Sequence, residues 1–466
     1  MSLIKSISGI RGTIGGNVGN NLTPPDVVKF TAAYATWLTS GRKKKTTPKV
    51  VVGRDGRMSG AMVQGLVNAT LSGMGIDVID LNLSTTPTVE MAVKLLCADG
   101  GIIITASHNP REWNALKLLN ARGEFISEEE GRTILDIASS DAYLFAGVDK
   151  LGNIEQHNQM LNLHIEHILK NKWVDLKAIA AADFSVVIDA INSTGAEAVP
   201  ALLRALGVEK ITVLNGEING KFAHNPEPLP ENLVELSREV VRAKADIGIA
   251  VDPDVDRLCF VCEDGSMFGE EYTLVAVADY VLERQKGNTV SNLSSTRALK
   301  DITLMHGGEY FSSAVGEVNV VNKMKEVNAV IGGEGNGGII VPDLHYGRDA
   351  LIGIALFLSH LAKRGTGAKK LRSSYPDYFI SKNKIALEPG TNVQEVFDRI
   401  KRKYKNNPIN TEDGLKIEFD NDWVHLRTSN TEPIIRIYSE SSFETTAQNI
   451  AHRLMKDIQE AMIATI

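Results

Sequence analysis

Short apolar runs recur along this chain, and each breaks into a polar, turn-forming loop. Lys49-Val50-Val51-Val52 reads as a strand and Gly53-Arg54-Asp55-Gly56-Arg57 as a loop. Residues 61–72 follow as a helix closed by Gly73 and Gly75, and 76–80 as a second strand, which completes a βαβ unit. The same order returns with a strand at 185–189, the loop Asn192-Ser193-Thr194-Gly195, a helix over 196–206 and a strand at 211–214. A weaker copy opens with Asn288-Thr289-Val290, passes through Ser294-Ser295-Thr296 and continues in a helix near 297–305. Three such units spaced by roughly a hundred residues or more predict three related α/β domains, not a solenoid.

The end of the chain follows another pattern. Residues 415–419 and 423–427 flank Asp420-Asn421-Asp422, a hairpin signal. A third strand at 434–438 and a helix over 445–462 complete a small antiparallel α+β domain. The expected fold class is therefore α/β: three related α/β domains with mixed sheets and an antiparallel α+β domain at the C-terminus, four domains that the motifs described below, one on each, place around a central cleft. The expected boundaries are 1–162, 163–265, 266–375 and 376–466. Elsewhere, 26–38 reads as a helix after Pro24-Pro25. Ser127 followed by Glu128-Glu129-Glu130 suits a capped helix start. The most apolar stretch, 350–358, is far shorter than the ~20 residues of a membrane span and reads as a buried helix.

Composition narrows the function. With 43% hydrophobic and 23% charged residues, the chain has the make-up of a soluble globular protein. A net charge of -7 argues against a nucleic-acid partner but leaves room for a local cationic pocket that takes a phosphate-bearing small molecule. Met1-Ser2-Leu3-Ile4-Lys5 lacks the apolar core of a signal peptide, so neither secretion nor membrane insertion is expected. The three cysteines, Cys97, Cys259 and Cys262, fit a reduced cytoplasmic setting. Cys259 and Cys262 fall on an apolar strand, where residues three apart face opposite sides, so they are not read as a redox or metal pair. His164 and His167 share a helix with no third ligand in view and are read as surface or packing residues.

Four stretches carry chemistry. The buried strand Gly101-Ile102-Ile103-Ile104 runs into Thr105-Ala106-Ser107-His108-Asn109-Pro110 and presents a serine hydroxyl at its carboxyl end, where open α/β sheets bind ligands. A second apolar strand runs into Asp252-Pro253-Asp254-Val255-Asp256-Arg257. In an extended backbone that alternation puts three carboxylates on one side. Such a cluster repels itself unless a hard divalent cation such as Mg²⁺ lies among the oxygens. Gly332-Gly333-Glu334-Gly335-Asn336-Gly337-Gly338 is a flexible loop between strands, with an acid and an amide suited to neighbouring hydroxyls. Arg427-Thr428-Ser429-Asn430-Thr431-Glu432-Pro433, with Arg436 beyond, brackets a turn with the groups a phosphate dianion needs.

Taken in order, these four motifs resemble the α-D-phosphohexomutase family along nearly the whole chain. The resemblance implies a phosphoserine at Ser107 and Mg²⁺ held by Asp252, Asp254, Asp256 and the Ser107 phosphate. It implies that Arg257 contacts substrate or phosphoserine, that Glu334 and Asn336 bind sugar hydroxyls, and that Arg427, Ser429, Asn430, Thr431 and Arg436 hold the phosphate that is not reacting. Arg11, Lys117 and His108 are the other expected catalytic residues, Lys117 as a general acid/base. Two departures stand out. The family often has Asn-Gly-x-Lys where Asn114-Ala115-Leu116-Lys117 stands. Its sugar loop is often Gly-Glu-x-Ser-Gly-His, where this chain has Asn336 for the serine and Gly338 for the histidine, a form that looks like archaeal-type phosphoglucosamine mutases or phosphomannomutases.

The implied reaction interconverts hexose 1-phosphate and hexose 6-phosphate through a phosphoserine enzyme and a hexose 1,6-bisphosphate intermediate. Glucosamine phosphate is the favoured sugar, and mannose and glucose phosphates are the alternatives. The expected partner is the hexose phosphate alone, bound by a monomer or homodimer. Two other classes remain: an aspartyl-phosphate phosphotransferase with Asp252 as nucleophile, resembling the haloacid-dehalogenase type, and a sugar-phosphate sensor without catalysis.

Overall fold

The computed structural model describes residues 2–6, 9–42, 46–388, 390–429 and 433–463. One four-strand arrangement is built three times. In the first, Lys49–Arg54 lies between the parallel strands Asp77–Leu83 and Gly100–Ile104, and the antiparallel Trp113–Leu119 borders Gly100–Ile104. In the second, Ser185–Asp189 lies between Lys210–Leu214 and Ile247–Val251, bordered by the antiparallel Leu258–Cys262. In the third, Asn288–Asn292 lies between Tyr310–Ser313 and Ala329–Glu334, bordered by the antiparallel Gly338–Ile340. The first sheet gains Ile4–Ser6 and Gly9–Thr13 at one end and Ile154–Gln156 at the other, making seven strands.

In each copy the third strand leaves the sheet into the connection that turns back as the antiparallel strand. The Ser107 loop, the 252–257 loop and the Glu334 loop are these three equivalent connections. Their strands are apolar because helices cover both faces; Gly100–Ile104 and Ile247–Val251 are buried throughout. Each loop therefore stands on a rigid floor at the carboxyl end of a parallel strand.

The helices agree with the sequence pattern. Pro24–Thr39 takes its two prolines into the first turn, where a missing N–H costs nothing. Glu128–Ser139 opens with the reciprocal Ser127–Glu130 box. Ala350–Arg364 is buried from Ala350 to Leu361 and serves two domains at once. One core contains Val186, Ile188 and Leu202 from the second α/β unit together with Val275, Leu356 and Phe357 from the third. Cys259 packs with Val187 and Leu236, and Cys262 joins the core that holds Phe260, so the two thiols do lie on opposite faces. All three cysteines are free.

The C-terminal domain is a five-stranded antiparallel sheet, in the order Phe379–Ala386, Ile434–Ser441, Trp423–Thr428, Leu415–Glu418, Ile409–Asn410. The expected hairpin forms, with Glu418 opposite Trp423. Helices Val393–Lys403 and Glu444–Ile463 cover the face carrying Val424, Leu426, Ile435 and Ile437. Among the described residues no helix is long and apolar enough to cross a membrane.

His167 is exposed, and its helix neighbour His164 is a packing residue, fully buried. His164 Nδ1 meets Thr88 Oγ1 at 3.0 Å, and its Nε2 lies 2.9 Å from Asp349 Oδ2. His345 Nε2 approaches the same oxygen at 3.2 Å. Thr88, His164 and Asp349 belong to three successive units, so this cluster is a junction between them. Its partners lie far apart in sequence, which is why helical spacing alone did not reveal them.

Candidate active site

Ser107 has φ +49, a left-handed conformation that serine rarely adopts, and its surroundings hold it there. Its N–H donates to Thr105 Oγ1 at 2.9 Å, and that hydroxyl donates to Asp55 Oδ2 at 2.6 Å. Asp55 also accepts from Arg57 Nε at 3.0 Å. The fully buried Arg57 then spends its other four N–H groups on the loop backbone. Nη1 donates to the carbonyls of Pro110 at 2.7 Å and Trp113 at 2.9 Å. Nη2 donates to those of Ser107 at 2.5 Å and Asn109 at 2.7 Å. One guanidinium thus fixes the path of the whole serine loop.

The acid loop converges by a different route from the one its spacing suggests. The backbone at 252–257 is a turn and not an extended strand: Val255 has φ +62 and donates its N–H to Asp252 O at 3.1 Å. The turn, not strand alternation, brings one oxygen from each of Asp252, Asp254 and Asp256 to within 4.8 Å of the others. All three side chains are completely buried. Its own unit and both neighbouring ones grip the turn. Ser193 and Thr194 hydroxyls donate to Pro253 O at 2.6 and 2.8 Å, Thr86 N to Asp254 O at 2.8 Å, and Ala350 N to Val255 O at 3.2 Å.

The carboxylate oxygens divide into held and open. Asp252 Oδ1 accepts the N–H groups of Asp256 and Arg257, each at 3.1 Å. Asp254 Oδ2 accepts from Thr86 Oγ1 at 2.5 Å and Lys117 Nζ at 2.8 Å. Asp256 Oδ2 accepts from Arg348 Nη2 at 2.7 Å and Lys117 Nζ at 3.4 Å. Asp254 Oδ1 and Asp256 Oδ1 are buried with no hydrogen-bond donor among the described residues. Two such oxygens beside a third carboxylate are costly to bury unless a cation satisfies them, so the donor set fits a hard divalent ion.

Ser107 Oγ donates to Asp252 Oδ2 at 2.7 Å, which joins the presented serine of the first unit to the acids of the second. Charge is distributed unevenly around this contact. Burial, reinforced by Asp256 and Asp254, pushes the Asp252 carboxyl well above the usual range. Burial alone would also raise Asp254, but Lys117 outweighs it and holds that carboxyl low. Burial alone would lower the Lys117 ammonium, but Asp254 and Asp256 outweigh it and raise it. His108 Nδ1 lies 3.4 Å from Ser107 Oγ, and burial beside Arg257 and Arg11 drives its imidazole well below the ordinary histidine value. Arg11 Nη1 donates to Asn109 Oδ1 at 2.7 Å. Arg257 pairs with Glu227 at 3.1 Å and keeps a buried Nε without a hydrogen-bond partner among the described residues.

The third loop follows from Leu258 N, which donates to Gly337 O at 3.2 Å. Glu334 is buried and held three ways. Asn292 Nδ2 at 2.8 Å and Gly316 N at 3.1 Å donate to its Oε1, and Arg348 Nη1 donates to its Oε2 at 2.9 Å. Asn336 is half-buried and accepts from Gly338 N at 3.2 Å. In the C-terminal domain, Arg427 sits opposite Arg436, and Arg436 opposite Lys384, on three adjacent strands. Like charges in one row repel, so the row suits an anion. Arg427 Nε is paired with Asp413 at 2.8 Å, and Ser429 N donates to Ile434 O at 3.0 Å. Asn430 and Thr431, expected in the same clamp, lie outside the described residues.

The structure thus gathers Ser107, His108, Lys117, Arg11, Asp252, Asp254, Asp256 and Arg257 around one point and links Glu334 to it through Arg348. Sequence reading missed Arg57, Thr86, Arg348 and Lys384. Arg57 stood in a loop read only as polar, although the loop after the first strand of a βαβ unit lies beside the loop after the third. Arg348 precedes an N-capping Asp349, and nothing in the sequence marks its inward turn.

Known proteins divide along the same lines. Residues 3–144, 162–265 and 269–378 match the α/β/α domains I, II and III of phosphoglucomutase/phosphomannomutase, and 384–457 match the C-terminal domain of that family. A phosphoglucomutase/phosphomannomutase of Thermococcus kodakarensis is 36% identical over 458 residues, covering 97% of this chain and 98% of that protein. A phosphoglucosamine/phosphogalactosamine mutase of Sulfurisphaera tokodaii is 32% identical over 466 residues, covering 98% and 100%. The crystal structure of a phosphoglucomutase/phosphomannomutase family protein from Burkholderia thailandensis superposes with a TM-score of 0.84 at 26% identity, over 99% of this chain and 97% of its own.

Proposed function

The chain belongs to the α-D-phosphohexomutase family, isomerases that interconvert sugar phosphates, and we propose that it works through a phosphoserine at Ser107. The observation that carries this reading is the 2.7 Å contact from Ser107 Oγ to Asp252, beside two carboxylate oxygens that lack donors. Asp252, Asp254 and Asp256 would hold Mg²⁺ together with the Ser107 phosphate. Bound there, the ion would neutralise charge on the transferring phosphoryl group.

The rest falls to the chain's own residues. The bond from Ser107 Oγ to phosphorus breaks as the free sugar hydroxyl bonds to phosphorus and gives up its proton. His108, held neutral near pH 7, can take a proton, and Lys117, held as an ammonium, can return one to Ser107. Arg11 and Arg257 bring positive charge to the phosphoryl group, while Glu334 and Asn336 orient the hexose by its hydroxyls. The resulting hexose 1,6-bisphosphate turns over in the cleft and returns its other phosphate to Ser107. Arg427, Ser429, Asn430, Thr431 and Arg436, joined by Lys384, would hold whichever phosphate is not reacting.

Glucosamine phosphate is the sugar we favour, and the phosphoglucosamine/phosphogalactosamine mutase among the relatives supports it. Glucose and mannose phosphates are the alternatives. A coupled assay comparing kcat/KM for the three 1-phosphates ranks the sugars. Ser107→Ala is expected to lose about a thousandfold or more in kcat for all of them. Retention of activity in that variant would refute the phosphoserine route.

A further inference from the structure

We infer that Arg348 is a positioning residue that locks the hexose-binding carboxylate Glu334 to the acid loop, and that it reaches this place because residue 338 has no side chain. The inference rests on the proposed role of Glu334 in holding the hexose.

The guanidinium of Arg348 meets three carboxylates from separate elements. Nη1 donates to Glu334 Oε2 at 2.9 Å, Nη2 to Asp256 Oδ2 at 2.7 Å and Nε to Glu317 Oε2 at 2.8 Å. Asp256 belongs to the second α/β unit and Glu334 to the third, so one cation ties the acid loop to the loop expected to read the sugar. The residue is 8% exposed, and the arrangement is strongly charge-assisted. Its backbone is fixed as well: Arg348 bridges to Ile340, and Asp349 N donates to Ile339 O at 2.8 Å.

Gly338 makes this possible. It lies directly opposite Glu334 in the antiparallel pair. A Cβ there would stand 2.3 Å from Arg348 Cδ and 3.0 Å from its Cγ. Unlike Gly337, whose φ is +85, Gly338 does not have the left-handed backbone that favours glycine, so an alanine is conformationally allowed. The missing side chain is a packing requirement: the shaft of Arg348 occupies the room that a side chain at 338 would take and crosses it to reach Glu334.

Three of the five guanidinium N–H groups make these contacts, which leaves one on each terminal nitrogen. Arg348 also sets a second quantity. A cation on Asp256 lowers that carboxylate's pull on any other cation, so removing it should leave divalent-ion binding as tight or tighter. Collapse of the site would weaken both ion and sugar binding. The two readouts separate positioning from general structural support.

The test compares wild type, Arg348→Met, Arg348→Lys, Gly338→Ala and the Arg348→Met/Gly338→Ala double variant. Calorimetry follows glucosamine, mannose and glucose 6-phosphates, electron paramagnetic resonance follows Mn²⁺, and kinetics give KM and kcat. Arg348→Met and Gly338→Ala should each weaken hexose phosphate binding and raise KM by about tenfold or more, with Arg348→Lys recovering part of the loss. The double variant should be no worse than the worse single, because both changes remove one contact set. Mn²⁺ binding should hold or tighten. Losses that multiply in the double variant, unchanged sugar binding, or Mn²⁺ binding that falls with it would each overturn the assignment. Absence of phosphate on Ser107 in the wild type would refute the phosphoserine route and leave these binding comparisons standing.

Discussion

Arg57 and Ser107 show at the residue scale how much of this site depends on backbone and not on nucleophile. Ser107 keeps its left-handed turn because four carbonyls of its loop are tied to a guanidinium about fifty positions earlier in the chain. Arg57→Ala is expected to lower kcat by about a hundredfold with hexose phosphate binding little changed, since the loop would shift by about an ångström. It should also cost about 3–5 kcal/mol of stability, because the buried Asp55 loses its partner. Urea unfolding and steady-state kinetics check both. Arg57→Lys should resemble Arg57→Ala in kcat, as an ammonium cannot span four carbonyls. Sequence reading found Ser107 and the three aspartates because each interrupts an apolar strand end with an unusual side chain. It missed Arg57 and Arg348 because their meaning lies in partners 52 and 92 positions away.

At the scale of elements, three equivalent strand-to-strand connections supply Ser107, the acids and Glu334. Strands such as Ser185–Asp189 were readable in the sequence to the residue, because burial on both faces makes their middle, here Val186-Val187-Ile188, continuously apolar. Phe379–Ala386 was not, because it is an edge strand in which polar and apolar side chains are equally many and only Ile385 is buried, defined by eight pairings to Ile434–Ser441 and not by its own pattern. The acid loop is the instructive partial success: convergence of the carboxylates was legible, but the turn at Val255 that produces it was not. Local signals can still be weighed. Ser127→Ala, which removes one half of the box at the start of Glu128–Ser139, should cost about 1 kcal/mol in thermal or urea unfolding and leave activity unchanged.

For the whole molecule, the second and third α/β units share one core, whereas the C-terminal domain has its own. It meets the third unit through polar contacts: His425 to Ser294 at 2.8 Å, Lys416 Nζ to Leu293 O at 2.9 Å, and Arg297 N to Glu440 at 3.0 Å. The proposed clamp has to accept either phosphate of a bisphosphate, which calls for movement of this domain. Small-angle scattering should show compaction when hexose 1,6-bisphosphate is added, and an unchanged profile would count against such movement. The junction of the first three units is set to respond to pH. Burial would lower the His345 imidazole, but Asp349 and Glu90 outweigh it and raise it to about 10. Burial and Glu317 raise Glu90 to about 8. Both folded values exceed the unfolded ones, so the fold binds extra protons and stability falls as pH rises. The His345 contribution is complete below about 6.5 and disappears as pH climbs through about 10. Melting temperatures from pH 6 to 10 should therefore fall, and His345→Gln should flatten that slope.

One hydroxyl relaying a phosphoryl group is the centre of this account, and the site of the covalent phosphate tests it most directly. The protein is exposed to radiolabelled hexose 1,6-bisphosphate with Mg²⁺, quenched, digested and mapped. The account predicts hydroxylamine-stable label on the peptide containing Ser107 and none in Ser107→Ala. Hydroxylamine-labile label on Asp252 would contradict it.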